Sequence, residues 1–192
     1  MYIRFIEQRD IKEVLNIYKY YVINTSATFE CSVPSDEVFT ARVNSICSKY
    51  AYLVAVELDE NTNEKIVGFA YLAEFAVREA FKWSVTCSVY IDKEYTGKGI
   101  GKKLYRELLG LAKQQNFYHL YALITIPNDE SEKFHKKMGF VKVATLPNIG
   151  FKLDEWHGLM YYKYEIQPIE ANPKPPLNIN DVKSFYYIIP SE

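Results

Sequence analysis

The sequence predicts an α/β domain of the α+β type, a β-sheet flanked by helices, and three observations carry that prediction. Runs rich in β-branched and aromatic residues recur from "YIRFI" near the start to "WHGLMYYKYEI" at residues 156–166. Segments with helical spacing of apolar residues are interspersed among them. Two of the β-rich runs, "AYLVAVEL" and "KIVGFAYLAEF", are joined by the polar "DENTNE", which reads as the turn of a hairpin.

The elements follow in order. After the first strand, Asp10 with Glu13 three residues later has the spacing of a capping box. Ile11, Val14, Leu15, Tyr18, Tyr21 and Val22 then trace one face of a helix. "NTSATFE" breaks that pattern as a loop, and Pro34, Ser35 and Asp36 open a second helix through about Ser48. Beyond the hairpin, "WSVTCSVYI" (83–91) is a strand whose period of two separates Val85, Cys87, Val89 and Ile91 from Ser84, Thr86, Ser88 and Tyr90. The first set predicts a core face and the second a polar site wall. Cys87 then reads as a small buried hydrophobe rather than a nucleophile. Ile100, Leu104, Leu108, Leu111 and Ala112 mark a helix ending near Asn116, followed by the strand "FYHLYALIT". Pro127 and Asn128 start a short helix with Phe134 and Met138 on one face and Gly139 as its C-terminal cap. "FVKVATL" and "WHGLMYYKYEI" close the domain.

A chain of 192 residues suits one domain, here residues 1–166, with a proline-containing extension over 167–192. "QPIEANPKPPLN" is extended by composition, and "VKSFYYIIPSE" is apolar enough to dock as a strand or arm on its own domain or on a partner. The composition, 48% hydrophobic and 24% charged, is that of a globular protein, and the abundant Tyr and Phe suit strands and pocket walls alike. A net charge of −1 argues against a general nucleic-acid binder. Three cysteines without ligand spacing point to reduced thiols and no metal site, and the absence of a signal-like segment predicts a cytoplasmic protein.

The stretch "EYTGKGIGKKLY" places Gly97, Gly99 and Gly101 at the start of a helix. Free amides and a partial positive charge at a helix N-terminus bind anions, and glycine lets the backbone approach closely; Lys98 and Lys102 add charge. No G-K-[ST] closes the loop as in a Walker motif, and the element order does not fit a dinucleotide fingerprint. A tight strand-to-helix connection is the structural alternative.

Thr96-Gly97-Lys98-Gly99-Ile100-Gly101, with the element order around it, resembles the pyrophosphate loop [QR]-x-x-G-x-[GA] of the GNAT superfamily of acyl-CoA-dependent N-acetyltransferases, with Thr96 in place of Gln or Arg. "NTSATFE", "SVYI", "IPNDESEKFHKKMGF" and "GFKLDEWHGLMYYKYEI" narrow the resemblance to its phosphinothricin N-acetyltransferase-like branch, over residues 2–166. The resemblance implies a mixed, mostly antiparallel sheet whose middle strands splay apart. It implies acetyl-CoA as co-substrate, its pyrophosphate on Gly97, Lys98, Gly99, Ile100, Gly101 and Lys102. The pantetheine arm would lie along Val89, Tyr90 and Ile91, with Asn128 serving it or simply capping the short helix. It also implies a homodimer, and a small amino-acid-like amine as acceptor: phosphinothricin, methionine sulfoximine or methionine sulfone.

Where that branch carries a glutamate as general base, this chain has Thr86, which can position water but not act as a base near pH 7. Water held by Thr86 and Ser88, or the carboxylate of Glu30, would then take the amine proton. His135 stands at a position associated with proton donation to the leaving thiolate. Arg78 matches an acceptor-binding arginine, a second basic position being Ala76, and Phe29, Phe75, Phe81 and Trp156 are candidate aromatic walls. The alternative reading is a non-catalytic acyl-CoA-binding or partner-binding module on the same fold.

Overall fold

A computed structural model describes residues 1–183. Seven strands form one sheet: β1 (Tyr2–Phe5), β2 (Tyr52–Leu58), β3 (Glu64–Glu74), β4 (Ser84–Ile91), β5 (His119–Ile126), β6 (Val141–Lys152) and β7 (Glu155–Glu165). The helices are α1 (Ile11–Asn24), α2 (Asp36–Cys47), α3 (Ile100–Gln114), α4 (Asp129–Lys137) and α5 (Ile179–Lys183). Strand order is β1-β2-β3-β4-β5-β7-β6, and every pairing is antiparallel except β4 with β5.

The sheet separates two apolar cores. α1 and α2 bury Val14, Tyr18, Val22, Phe39 and Val43 against Val54, Val56 and Phe69. α3 buries Leu104, Tyr105, Leu108 and Leu111 against Leu72, Val85, Leu120 and Tyr162 on the opposite face. Two faces covered along β2 and β3 explain why "AYLVAVEL" is an almost continuous apolar run with weak alternation.

The β4–β5 pairing decides where a site can form. It runs from Ser84↔His119 to Cys87↔Ala122 and stops there, although β4 continues to Ile91 and β5 to Ile126. The two middle strands therefore splay in the centre of the sheet, as the resemblance implied, and leave backbone groups open.

Local signals held unevenly. Asn128 caps α4 by accepting the Ser131 amide at 3.1 Å, and Gly139 follows it at φ +91°. Asp10 does not cap α1. Its carboxylate takes a bidentate ion pair from the buried Arg4 guanidinium, at 2.6 and 2.9 Å, and the Glu7 amide at 2.7 Å, within a 3-10 turn that precedes the helix. Glu13 reaches instead to the Ile66 amide across the core. The last β6 residues, "PNIGFK", continue the strand that composition ended at Leu146. A register shift between Leu146 and Gly150 absorbs Pro147, which an irregular edge strand tolerates.

The extension docks on its own domain through residue 183. The Trp83 indole donates to the Lys174 carbonyl at 2.8 Å, and Leu177 donates to the Gln115 carbonyl at 2.9 Å. The fully buried Gln115 amide gives its protons to Lys49 and Leu177 carbonyls, stitching the arm to two separate loops. Ile179 and Val182 of α5 then enter the α3 core. The remainder of the apolar "VKSFYYIIPSE", residues 184–192, lies outside the described residues.

Candidate active site

A cleft of about 580 Å³ opens where β4 and β5 part. Its walls come from β4 (Cys87 to Ile91), the turn Tyr95–Gly97, the first turn of α3, the end of β5 and one face of α4. Gly97 and Gly99 adopt φ +76° and +78°, a region that side-chain-bearing residues enter only at a cost, so both glycines are required by the turn itself. Gly101 has ordinary helical backbone, and a Cβ there would meet only Phe134, at van der Waals distance. The first turn of α3 carries no acidic residue, leaving the amides of Ile100, Gly101 and Lys102 to an anion. Lys102 lines the cleft, while Lys98 lies 4.1 Å over the Tyr95 ring.

Of the three β4 residues assigned to a pantetheine arm, each has a different status. The Tyr21 hydroxyl caps Ile91, donating to its carbonyl at 2.6 Å and facing its amide at 3.4 Å. Successive residues of a strand turn their backbone groups to opposite sides, so Val89 shares the open side of Ile91 and Tyr90 faces β3. Val89 is thus the residue with amide and carbonyl directed to the gap. The Tyr90 ring packs against Tyr18, Tyr21 and Phe69 at 5.0–5.2 Å under α1, and the residue also lines the cleft.

On the α3 side, three side chains missed as a set lie under the cleft. His135 Nδ1 is 2.7 Å from the Ser131 carbonyl, which can only accept, so the ring proton sits on Nδ1. Nε2 therefore accepts the Tyr105 hydroxyl at 2.5 Å, and the Cys87 thiol is 3.2 Å from the same hydroxyl. Burial holds His135 below its ordinary pKa, hence neutral near pH 7, and pushes the Cys87 thiol up to about 12. A neutral ring whose one proton is given to a carbonyl is not itself a proton donor to the cleft; Tyr105 stands between. In the sequence Tyr105 is one more apolar-face residue of a helix, and nothing marks it. Cys87 is buried as expected, yet it also lines the cleft, and its protonated thiol argues against an acyl-enzyme.

The opposite face of the splay is built from the 25–31 loop and the second helix. Thr86 donates its hydroxyl to the Ala73 carbonyl at 3.3 Å. Glu30 pairs with Arg42 of α2 at 2.5 Å through Oε1, while its Oε2 is buried with no hydrogen-bond partner. The loop is held by Tyr18, bonded to Thr28 at 2.8 Å, and by the buried Lys152, whose ammonium donates to the Thr28 carbonyl at 2.8 Å. Phe29 packs against Gly150 of β6, where a Cβ would come within 2.9 Å of its ring. Phe75 and Phe81 form a separate cluster with Tyr121, at 4.5–5.8 Å from Phe75. Arg78 is exposed beyond the end of β3, without an ion pair among the described residues. Trp156 is exposed against Phe151 at the β6–β7 tip. Arg42 and Lys152 had no signal in the sequence; each is an ordinary charged residue until the fold brings it to the loop.

A parallel pair opening beside a glycine-started helix, inside an otherwise antiparallel sheet, defines the class, and comparison with known families agrees. Residues 3–160 match the acetyltransferase (GNAT) domain, and the chain belongs to that family. Within it, the chain is 26% identical over 166 residues to a phosphinothricin N-acetyltransferase of Streptomyces viridochromogenes, covering 86% of this chain and 87% of that one. It is 27% identical to an L-methionine sulfoximine/L-methionine sulfone acetyltransferase of Salmonella typhimurium, covering 86% and 95%. A phosphinothricin acetyltransferase from Sinorhizobium meliloti, solved in complex with AcCoA, superposes with a TM-score of 0.82 at 28% identity, covering 92% of this chain and 97% of that one.

Proposed function

We propose that this protein transfers an acetyl group from acetyl-CoA to the primary amine of a small amino-acid-like acceptor. One observation carries the reading: where β4 and β5 part, a single cleft is lined by the open end of β4, the left-handed glycine turn and the first turn of α3. The donor side fits coenzyme A on three counts: a left-handed glycine turn, free helix amides with no acidic residue beside them, and the open backbone of Val89. Bound acetyl-CoA would supply the activated thioester; the protein holds the anionic part at Gly97–Lys102 and the arm at Val89. An amide at the gap can polarise the thioester carbonyl.

On the acceptor side, Thr86 offers no base. Glu30 is the carboxylate whose free Oε2 can take the amine proton, directly or through water. His135 acts as a positioning residue that holds the Tyr105 hydroxyl through Nε2, leaving water to meet the departing thiolate. The acceptors named for the relatives, methionine sulfone and phosphinothricin among them, are the first to test.

A homodimer is part of the proposal. Val141, Val143, Leu146 and Ile149 are exposed along the β6 edge strand, an apolar strip suited to a second copy. No helix among the described residues is long and apolar enough to cross a membrane, and the free Cys31, Cys47 and Cys87 suit the reducing cytoplasm.

The test is thiol release from acetyl-CoA with methionine sulfone and a panel of amino acids. Turnover on at least one is the expected result. Silence on the whole panel, with tight acetyl-CoA binding retained, would favour a non-catalytic binding module.

A further inference from the structure

Arg42 is not a residue that the family resemblance singled out, and the fold gives it an address. Tyr71 lies opposite Ser88 in the β3–β4 register, and Ser88 is the first β4 residue past the last β4–β5 pair. The Arg42 guanidinium lies 5.9 Å over the Phe39 ring, Phe39 stacks on Tyr18 at 5.8 Å, and Tyr18 meets Tyr90, two residues beyond Ser88 on β4, edge-on at 5.2 Å. The Glu30–Arg42 pair is therefore beside the mouth of the gap, on the face away from α3. Ala27, three residues before Glu30, lines the donor cleft itself, which places the loop across that mouth.

The pair is half-finished as chemistry. Glu30 is the one ion-pair partner of Arg42 among the described residues, and it engages Nη2. A guanidinium has five donors in a planar fork, so most of that fork is available to a second carboxylate. Both side chains remain about one-third exposed, at 36% and 32%. Arg78 lies past the end of β3, and position 76 is alanine.

We propose that Arg42 binds the α-carboxylate of the acceptor while Glu30, held against it, receives the amine. The Glu30–Arg42 pair then presents a negative and a positive group side by side, the complement of a zwitterionic α-amino acid. This rests on the acetyl-transfer reading for its choice of ligand, but it is tested by binding as well as by turnover. Arg42 is a specificity-determining residue, selecting α-amino acids over amines that lack the carboxylate.

The experiment measures dissociation constants by calorimetry on the full chain loaded with CoA, for a panel of α-amino acids including methionine sulfone, each paired with its own carboxamide. The carboxylate form should bind about 10- to 100-fold tighter than the carboxamide, the range for a charge-assisted bidentate contact. R42Q should collapse that ratio to near one, and R42K should keep part of it, because lysine retains the charge without the fork. A ratio unchanged in R42Q overturns the proposal: Arg42 would then only brace Glu30, and both forms would weaken together. Failure of every amino acid to bind the wild type overturns it as well. Arg42-dependent binding without any acetyl transfer would sustain the carboxylate site and remove the enzymatic reading instead.

Discussion

The two halves of the candidate site are made of different material. The donor half is backbone: two left-handed glycines, the first amides of α3 and the open edge of Val89. The acceptor half is side chains brought from the loop after α1, from α2, from β3 and from the tip of β6. Backbone recognition tolerates almost any side chain provided the fold is kept, so the donor half can stay constant while the acceptor half is rebuilt residue by residue.

The sharpest way to break this contrast is to attack each half and ask whether the other notices. Gly99→Val, which forces a β-branched residue into φ +78°, should raise the acetyl-CoA KM by more than about 100-fold, from backbone strain and the lost approach of the phosphate together. Acceptor binding measured on surviving CoA-loaded protein should change little. Next in size, Glu30→Gln should lower kcat by about 10²-fold or more, in the range for a general base, with the acetyl-CoA KM nearly unmoved. Thr86→Glu should then restore turnover in that background if the carboxylate alone is missing, read as kcat on methionine sulfone. An inert double variant would show that the pocket needs more than a base. Lys152→Met should cost less in kcat but raise acceptor KM several-fold, because the loop that carries Phe29 and Glu30 loses its bond at the Thr28 carbonyl.

The smallest expected effect concerns pH. Burial lowers the His135 pKa, so the folded state resists protonation while the unfolded chain takes a proton near pH 6.5. The unfolded state binds more protons below that pH, and stability therefore falls as pH drops from about 6.5 toward the folded-state pKa. The midpoint of urea unfolding followed from pH 7.5 to 5 should show that slope, and His135→Gln should flatten it. A part should persist, since burial also lowers His119.

The same contrast explains what the sequence made legible. Element order, the hairpin, the Asn128 and Gly139 caps and the glycine loop were readable because each depends on residues close together in the chain. The splayed β4–β5 gap and the proposed acetyl-CoA cleft came only with the family resemblance, since no local pattern specifies where a parallel pairing ends. Local reading also failed at Asp10, where a buried arginine from β1 outcompetes the helix amide, and at Tyr90 it gave the site wall without the aromatic stack under α1. Tyr105, Arg42, Lys152 and the buried Gln115 act through partners 12 to 124 residues away, so their roles have no signature in sequence.

The docked arm changes how the domain must be completed. Ile179 and Val182 belong to the same core as α3, yet they follow all seven strands in the chain. During synthesis the domain emerges from its N-terminus, and the apolar surface beneath α5 stays uncovered until these last core residues are available. A chain cut after Ile166 should therefore persist in that earlier condition, destabilised by about 3–6 kcal/mol from two lost apolar side chains and prone to associate through the bare surface. The arm is in effect a closing latch, laid over a sheet whose seven strands all precede it in the chain.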